Sequence, residues 1–105
     1  MNENFGSAGT LPIYLRASIV EPILQACSKE APFISIYKNT KSLEDISEHL
    51  VRKYLYHLIN GNFLRYEGHK KIFVLLPSGM ELLVVIYAQI QQNPTYHKDL
   101  RIKVE

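Results

Sequence analysis

Nine polar or charged side chains in the middle of the chain have the chemistry to bind a nucleic acid. Five lie within residues 42–60, namely His49, Arg52, Lys53, Tyr56 and Asn60. Four lie within residues 65–71, namely Arg65, His69, Lys70 and Lys71. Guanidinium and ammonium groups bind phosphate or guanine, and an asparagine amide pairs with the edge of adenine. These residue types therefore fit contacts to both the backbone and the bases of a nucleic acid.

The positive charge of the chain is concentrated in this middle region. Residues 38–71 hold seven Lys or Arg against four Asp or Glu, with three of the four histidines. Residues 1–32 hold two Lys or Arg against three Glu. The net charge of the whole chain is only +2. The overall charge neither proves nor excludes nucleic-acid binding, whereas its distribution favours a local basic surface.

Residues 42–60 are expected to form an amphipathic helix that presents the first five side chains to solvent. Its expected buried face carries Leu43, Ile46, Leu50, Tyr54 and Leu58. At 3.6 residues per turn the five polar side chains fall on the opposite face. Ser42 and Ser47 both fit an N-cap, so the start of the helix stays open. The sequence Asn-Gly-Asn at 60–62 is expected to end it.

A hairpin follows directly and carries the second set of cations. Residues 63–66 and 72–76 have the β-branched and aromatic content of strands, and residues 67–71 form the expected tip. Gly68 is the residue expected to take a positive φ in this turn. The hairpin would project Lys70 and Lys71 from the body of the domain.

Helices are expected on both sides of this central region. Residues 12–28 have helical periodicity, with two alternatives: a start at a Ser18–Glu21 capping box, or an earlier start near Pro12 with a kink at Pro22. Residues 33–41 are interpreted as a short helix, although their composition also suits a strand. Pro77 is expected to open a last helix over 77–92. Residues 1–9 are expected to be a flexible tail, and residues 94–105 a second tail with either a short strand near 100–104 or a basic end.

The predicted fold is therefore α+β and mainly α, with a three-helix core, a two-stranded wing and a C-terminal helix. We expect one domain over residues 10–93. This order of elements is the outline of a winged helix-turn-helix. In that arrangement the third helix packs one face on the core and offers the other to a DNA major groove, while the wing reaches the flanking phosphates.

The sequence also resembles the small archaeal winged-helix DNA-binding proteins over about residues 15–90. Their leucine–serine pair at the start of the recognition helix is matched by Ile46 and Ser47, and their later tyrosine–leucine pair by Tyr54 and Leu55. A glycine near the start of the last helix is matched by Gly79. The resemblance implies binding of double-stranded DNA as a homodimer, with a role in transcription or chromosome organisation.

Two departures from that family have physical consequences. Leu76 stands where the family has a capping threonine, so the last helix is expected to start without a side-chain cap. Glu44, Asp45 and Glu48 place acid at the front of the recognition helix, where carboxylates repel phosphate. This acid would be harmless if the residues before the helix form a turn and point away.

The last helix is apolar on nearly all sides, so two of its faces are expected to be buried against other protein surfaces. One face would pack on the domain and the other on a second copy of the chain. The face assigned to this dimer interface comprises Leu82, Val85, Ile86, Gln89 and Ile90.

No enzyme, cofactor or metal site is expected from the sequence. The four histidines lack metal-ligand spacing with each other or with Cys27, which is expected to be an inert core thiol. We find neither a signal peptide nor an apolar run of the roughly 20 residues that span a bilayer. A cytoplasmic, nucleoid-associated location is therefore expected.

Two other functions remain open at this point. The acidic helix start and the apolar last helix would also suit a winged-helix protein–protein interaction module that does not bind DNA. A single-stranded nucleic-acid binder would use Tyr56 and Tyr66 to stack bases.

Overall fold

The computed structural model describes residues 13–94 and 100–104, and over these residues the fold is α+β and mainly helical. It contains four helices and two small antiparallel sheets. The elements, in chain order, are β1 (Ile13–Arg16), α1 (Ala17–Cys27), α2 (Phe33–Leu43), α3 (Glu48–Asn60), β2 (Leu64–Glu67), β3 (Ile72–Leu75), α4 (Pro77–Gln92) and β4 (Arg101–Val104). The predicted class and the predicted order of three helices, hairpin and helix are confirmed, and they are compatible with a winged-helix-like arrangement.

The first segment that the structure describes differs from both alternatives predicted for residues 12–28. Residues 13–16 form strand β1, and α1 begins at Ala17 with neither a side-chain cap nor a capping box. β1 pairs antiparallel with β4, so that Ile13 lies opposite Val104 and Arg16 opposite Arg101. The alternation near the end of the chain therefore marks a strand within the fold. The expected tail at residues 1–9 lies outside the described residues.

Helix α1 is the centre of the core. Eight of its eleven residues are buried, and it packs against both α2 and α4. Pro22 lies in the middle of the helix and lacks the N–H that would bond to the carbonyl of Ser18. The Pro22 carbonyl accepts a hydrogen bond from Nδ2 of Asn39 at 3.1 Å, which ties α1 to α2.

Residues 33–43 are helical, which confirms the prediction of a short helix there. Ser47 is the N-cap of α3, because its Oγ accepts a hydrogen bond from the Leu50 amide at 3.1 Å. The Ser42 hydroxyl instead donates to the carbonyl of Asn39 within α2. Leu43 was expected on the buried face of α3, but it ends α2 and is 64% exposed. The turn at residues 44–47 interrupts the helix, so the helical periodicity of α3 does not extend back into α2. The predicted buried face of residues 42–60 is therefore wrong at Leu43.

The end of α3 turns the chain into the hairpin. Asn62 takes a left-handed conformation with φ of 65°, and the Phe63 amide donates to the Leu58 carbonyl at 2.9 Å. In the hairpin Leu64 pairs with Leu75 and Tyr66 with Phe73. The positive φ of its turn is at Lys71, 55°, and not at Gly68 as expected.

A single residue outside the hairpin pairs with its strand β3. Ala31, between α1 and α2, bridges to Phe73 of β3 in the antiparallel sense. The Ala31 amide donates to the Phe73 carbonyl at 3.0 Å, and the Phe73 amide donates to the Ala31 carbonyl at 2.7 Å. The start of α2 is thereby fixed beside strand β3 of the hairpin.

Helix α4 runs from Pro77 to Gln92, as predicted, and Leu76 precedes it without a side-chain cap. Its first turn lies against the loop after α3: the Ser78 hydroxyl donates to the carbonyl of Asn62, and a Cβ at Gly79 would collide with the carbonyl of Phe63. Only a glycine permits this close approach. Of the helices that the structure describes, none is long and apolar enough to cross a membrane.

The two sides of α4 are not those expected. Ile86, which was assigned to a dimer interface, is 1% exposed and belongs to the core of its own chain, together with Gly79 and Leu83. Val84 and Val85 are 58% and 54% exposed. Leu82 and Ile90 are half-buried, and Gln89 is exposed. The apolar surface of α4 is therefore centred on the two valines, about half a helical turn from Ile86.

Candidate nucleic-acid interface

Helix α3 presents every polar residue predicted for it to solvent. His49, Arg52, Lys53, Tyr56 and Asn60 are all exposed. On the opposite face Val51, Tyr54, Leu55 and Leu58 are buried. The amphipathic pattern thus produces a helix with one anchored face and one free face, which is the arrangement needed for insertion into a groove.

The buried face of α3 is fixed by a polar contact as well as by packing. The hydroxyl of Tyr54 accepts a hydrogen bond from the Arg16 amide at 3.0 Å, and Tyr54 is otherwise buried. This bond joins α3 to the junction of β1 and α1. The helix is therefore held against rotation about its own axis.

Arg52 lies at the junction between α3 and the start of α2. Its Nε and Nη2 both donate to Oε2 of Glu48, one turn earlier, at 3.3 and 3.1 Å. Its guanidinium carbon lies 3.9 Å from the centroid of the Phe33 ring, a cation–π contact. The Arg52 head group is thus oriented before any ligand binds, but part of its charge is offset by Glu48.

The acidic residues before and at the start of α3 have different environments. Glu44 lies in the turn between α2 and α3 and pairs with Arg16 at 3.3 Å. Asp45, also in that turn, is exposed. Glu48 pairs with Arg52, as described above. Two of the three carboxylates therefore have a cationic partner within the chain, which reduces the repulsion that they would exert on a phosphate.

A groove separates α3 from the hairpin. It has a volume of about 560 Å³. Its lining comprises Pro32, Phe33, Arg52, Leu55, Tyr56, Ile59, Tyr66, Lys71 and Phe73. The rings of Tyr66 and Phe73, paired across the hairpin, lie 4.8 Å apart between centroids. The groove brings together one cation from α3 and one from the hairpin tip, Arg52 and Lys71.

Lys53 lies on the other flank of α3. It lines a smaller cavity of about 220 Å³ with residues of β1 and α3, among them Tyr14 and His57. Arg52 and Lys53 are adjacent in sequence, but they lean toward opposite sides of the helix. The exposed face of α3 is therefore bordered by the hairpin on one side and by β1 on the other.

The four hairpin residues predicted for the site do not all lie on one side of the hairpin, because side chains alternate between the two faces of a strand. Tyr66 faces the groove, so Arg65 faces the opposite side of the hairpin, where its Nη2 pairs with Glu67 at 3.3 Å. His69, Lys70 and Lys71 are exposed in the turn. Of these four residues, Lys71 lines the groove together with residues of α3, and Arg65 does not.

Sequence reasoning missed the contribution of Phe33 and Phe73 to this surface. Phe33 lay in a segment of ambiguous secondary structure, and Phe73 was assigned only to a strand. The signal available was the recurrence of aromatic residues at 33, 37, 56, 66 and 73 in a chain that is 10% aromatic. Spacing alone could not reveal that the Ala31–Phe73 bridge brings the first and last of these together.

Cys27 is buried in the core of the domain, as expected. Burial raises the pKa of its thiol to about 12, because desolvation disfavours the thiolate. The thiolate is the reactive form, so Cys27 is unsuited to nucleophilic chemistry at neutral pH. Within residues 13–94 and 100–104, no group of three or more His, Cys, Asp or Glu could hold a metal ion.

No family model matches the sequence, and no curated protein matches it. A function is therefore inferred from the geometry of α3, the hairpin and the side chains between them.

Proposed function

We propose that this chain is a winged helix-turn-helix protein that binds double-stranded DNA as a homodimer and acts as a transcriptional regulator or an architectural DNA-binding protein. The observation that carries this proposal is the exposed face of α3, on which five polar side chains stand opposite an anchored apolar face. The exposed turn of the neighbouring hairpin carries two lysines, and one of them, Lys71, lines a groove together with α3.

The topology around α3 supports the winged-helix assignment. α2 and α3 are joined by the short turn at residues 44–47, as in a helix-turn-helix. The Ala31–Phe73 bridge adds a third strand position to the β2–β3 hairpin, before α2 in sequence and beside β3 in space. In the proposed winged-helix assignment, the β2–β3 hairpin is the wing.

The residues on α3 have distinct proposed roles. His49, Tyr56 and Asn60 lie along the middle of the exposed face and would meet base edges, where an asparagine amide pairs with adenine. Arg52 and Lys53 lean toward the two flanks and would meet the phosphates on either side of a major groove about 12 Å wide. Phosphate contacts of this kind fix position, whereas base contacts carry specificity.

The wing would contact the backbone through its tip. His69, Lys70 and Lys71 are exposed there, and Lys71 faces the groove next to α3. Arg65 lies on the outer side of the hairpin in an ion pair with Glu67, so the proposal does not depend on it.

Dimerisation would use the apolar surface of α4. Val84 and Val85 are exposed to more than half of their area, and Met80 lies one turn before Val84 at 47% exposure. Packing this surface against a second copy would remove it from water, which is favourable at roughly 25 cal/mol per Å² of apolar area. A two-fold axis through α4 would also present two α3 helices to one duplex.

The proposal is tested by titrating a fluorescein-labelled, random-sequence duplex with protein and following fluorescence anisotropy. Lys53→Ala removes one exposed cation from α3 and should weaken binding by roughly threefold to tenfold. Lys29→Ala removes one exposed cation from the turn after α1 that lines neither the groove nor the smaller cavity beside α3, and it is the matched control. Equal affinities of the two variants, with unchanged melting temperatures, would remove α3 from the interface.

A further inference from the structure

The groove between α3 and the hairpin has the composition of a small-molecule site. Its lining includes the rings of Phe33, Tyr56, Tyr66 and Phe73 and the aliphatic side chains of Leu55 and Ile59. Its volume of about 560 Å³ lies within the ~300–1,000 Å³ typical of ligand pockets, which are mostly apolar with a few polar groups. Residues of α2, α3, β2 and β3 meet here, so its shape depends on the folded chain.

The charged side chains that line this groove are both positive. Arg52 lines one side and Lys71 the other, and no carboxylate is among the lining residues. Arg52 is paired with Glu48, but none of the ion pairs formed by described carboxylates involves Lys71. Of the two cations at this site, Lys71 is therefore the one whose charge is less offset by a carboxylate.

We propose that this groove binds a small planar aromatic anion, with its ring against Tyr66 and Phe73 and its anionic group at Lys71. Aromatic walls favour a flat ring through offset or edge contacts, and an ammonium at the rim favours a carboxylate or a similar group. An uncharged apolar ligand would leave the lysine without a partner.

Such a ligand would compete with DNA, and this part of the inference rests on the proposed function. Arg52, Tyr56 and Lys71 line the groove and also belong to the proposed DNA-binding surface. An anion held at Lys71 cancels a charge that would otherwise meet a phosphate. The occupied groove therefore lowers DNA affinity, and the protein becomes a ligand-responsive DNA binder.

Binding is tested without DNA by following amide chemical shifts of the full chain during titration with naphthalene-2-carboxylate. The uncharged naphthalene-2-carboxamide has nearly the same shape and is the control ligand. We expect saturable shifts at residues that line the groove, and about fivefold weaker binding of the carboxamide. Shifts confined to α4, equal affinities of the two ligands, or no shifts would overturn the proposal.

Two pairs of variants separate the groove from the rest of the surface. Lys71→Asn removes the charge while keeping a residue that tolerates positive φ, and Lys70→Asn removes the neighbouring charge, which does not line the groove. Tyr66→Ser removes an exposed groove ring, and Tyr14→Ser removes an exposed ring on the other flank of α3. Only the first member of each pair should weaken naphthalene-2-carboxylate binding, by about fivefold.

The competition is measured separately by anisotropy with labelled duplex DNA. Naphthalene-2-carboxylate should weaken DNA binding by wild-type protein and have a much smaller effect on Lys71→Asn. If the ligand occupies the groove but DNA affinity is unchanged, the overlap is wrong. If the protein binds no duplex at all, the proposed function fails, while the shift titration still decides the ligand site. Groove shifts with single-stranded DNA but not with the carboxylate would assign the groove to nucleobases and overturn the proposal.

Discussion

The guanidinium carbon of Arg52 lies 3.9 Å from the centroid of the Phe33 ring, so a cation of α3 rests on the first residue of α2. The same guanidinium donates twice to Glu48. Arg52 is therefore held in place at the point where the proposed DNA surface meets the groove. Its partner Glu48 offsets the charge that the proposed function needs.

Removing the Glu48 carboxylate should strengthen DNA binding. Glu48→Gln frees the Arg52 charge and removes a repulsion with phosphate, and we expect a gain of roughly threefold in affinity, the scale of an exposed ion pair. Glu30→Gln, at an exposed position in the loop between α1 and α2, makes the same change in net charge and should have a much smaller effect. Anisotropy titrations at one salt concentration compare the three proteins. Weaker binding by Glu48→Gln would mean that the ion pair positions Arg52 rather than masking it.

Gly79 should be intolerant of any side chain. Its Cβ would collide with the Phe63 carbonyl, so Gly79→Ala forces α4 away from the loop after α3 and should lower the free energy of unfolding by about 1–3 kcal/mol. Gly68→Ala is the matched control, since a Cβ there meets nothing within 4 Å and its φ is not positive. Its effect should stay within about 0.5 kcal/mol. Urea unfolding followed by circular dichroism measures both, and equal effects would contradict the close contact.

The start of α3 should depend on Ser47 and not on Ser42. Ser47→Ala removes the acceptor of the Leu50 amide and should cost about 1 kcal/mol of stability. Ser42→Ala removes an exposed hydroxyl that bonds within α2, with an expected change within about 0.5 kcal/mol. The same unfolding measurement checks this pair. A larger loss from Ser42→Ala would place the helix boundary earlier.

The proposed dimer should dissociate when charge is placed on α4. Val84→Lys/Val85→Lys puts two ammonium groups on the exposed apolar surface and should shift the protein from dimer to monomer in sedimentation equilibrium, with the circular dichroism spectrum unchanged. Leu43→Lys alters another exposed apolar residue, at the end of α2, and should leave the dimer intact. A dimer that persists in the double variant would move the interface elsewhere.

The elements around the site could be predicted because their signals are local. The polar face of α3 follows from helical periodicity within one segment, and the hairpin follows from two strand-like runs separated by a short turn. The absence of a side-chain cap at Leu76 and the end of α4 before Pro94 are likewise set by neighbouring residues.

The features that sequence reasoning missed depend on contacts between distant residues. β1 is a strand because β4 pairs with it, and Ile13 and its partner Val104 are too far apart for any local window. Phe33 reaches Arg52 because α2 packs against α3, and the Ala31–Phe73 bridge places the start of α2 beside the hairpin. Ile86 could not be separated from Val85 by composition, because both are apolar and only the packing of α4 against α1 decides which one is buried.

The most direct test of DNA binding is the dependence of duplex affinity on salt. We predict that the protein binds random-sequence duplex at low salt and that log affinity falls linearly with log salt between about 50 and 200 mM, with a slope near −0.9 for each phosphate neutralised. In Lys70→Ala, which lacks a cation of the hairpin tip, the slope should be smaller in magnitude by about 0.9. No binding of duplex DNA at the lowest salt, or an affinity that does not change with salt, would show that the cations of α3 and the hairpin do not bind the phosphates of DNA.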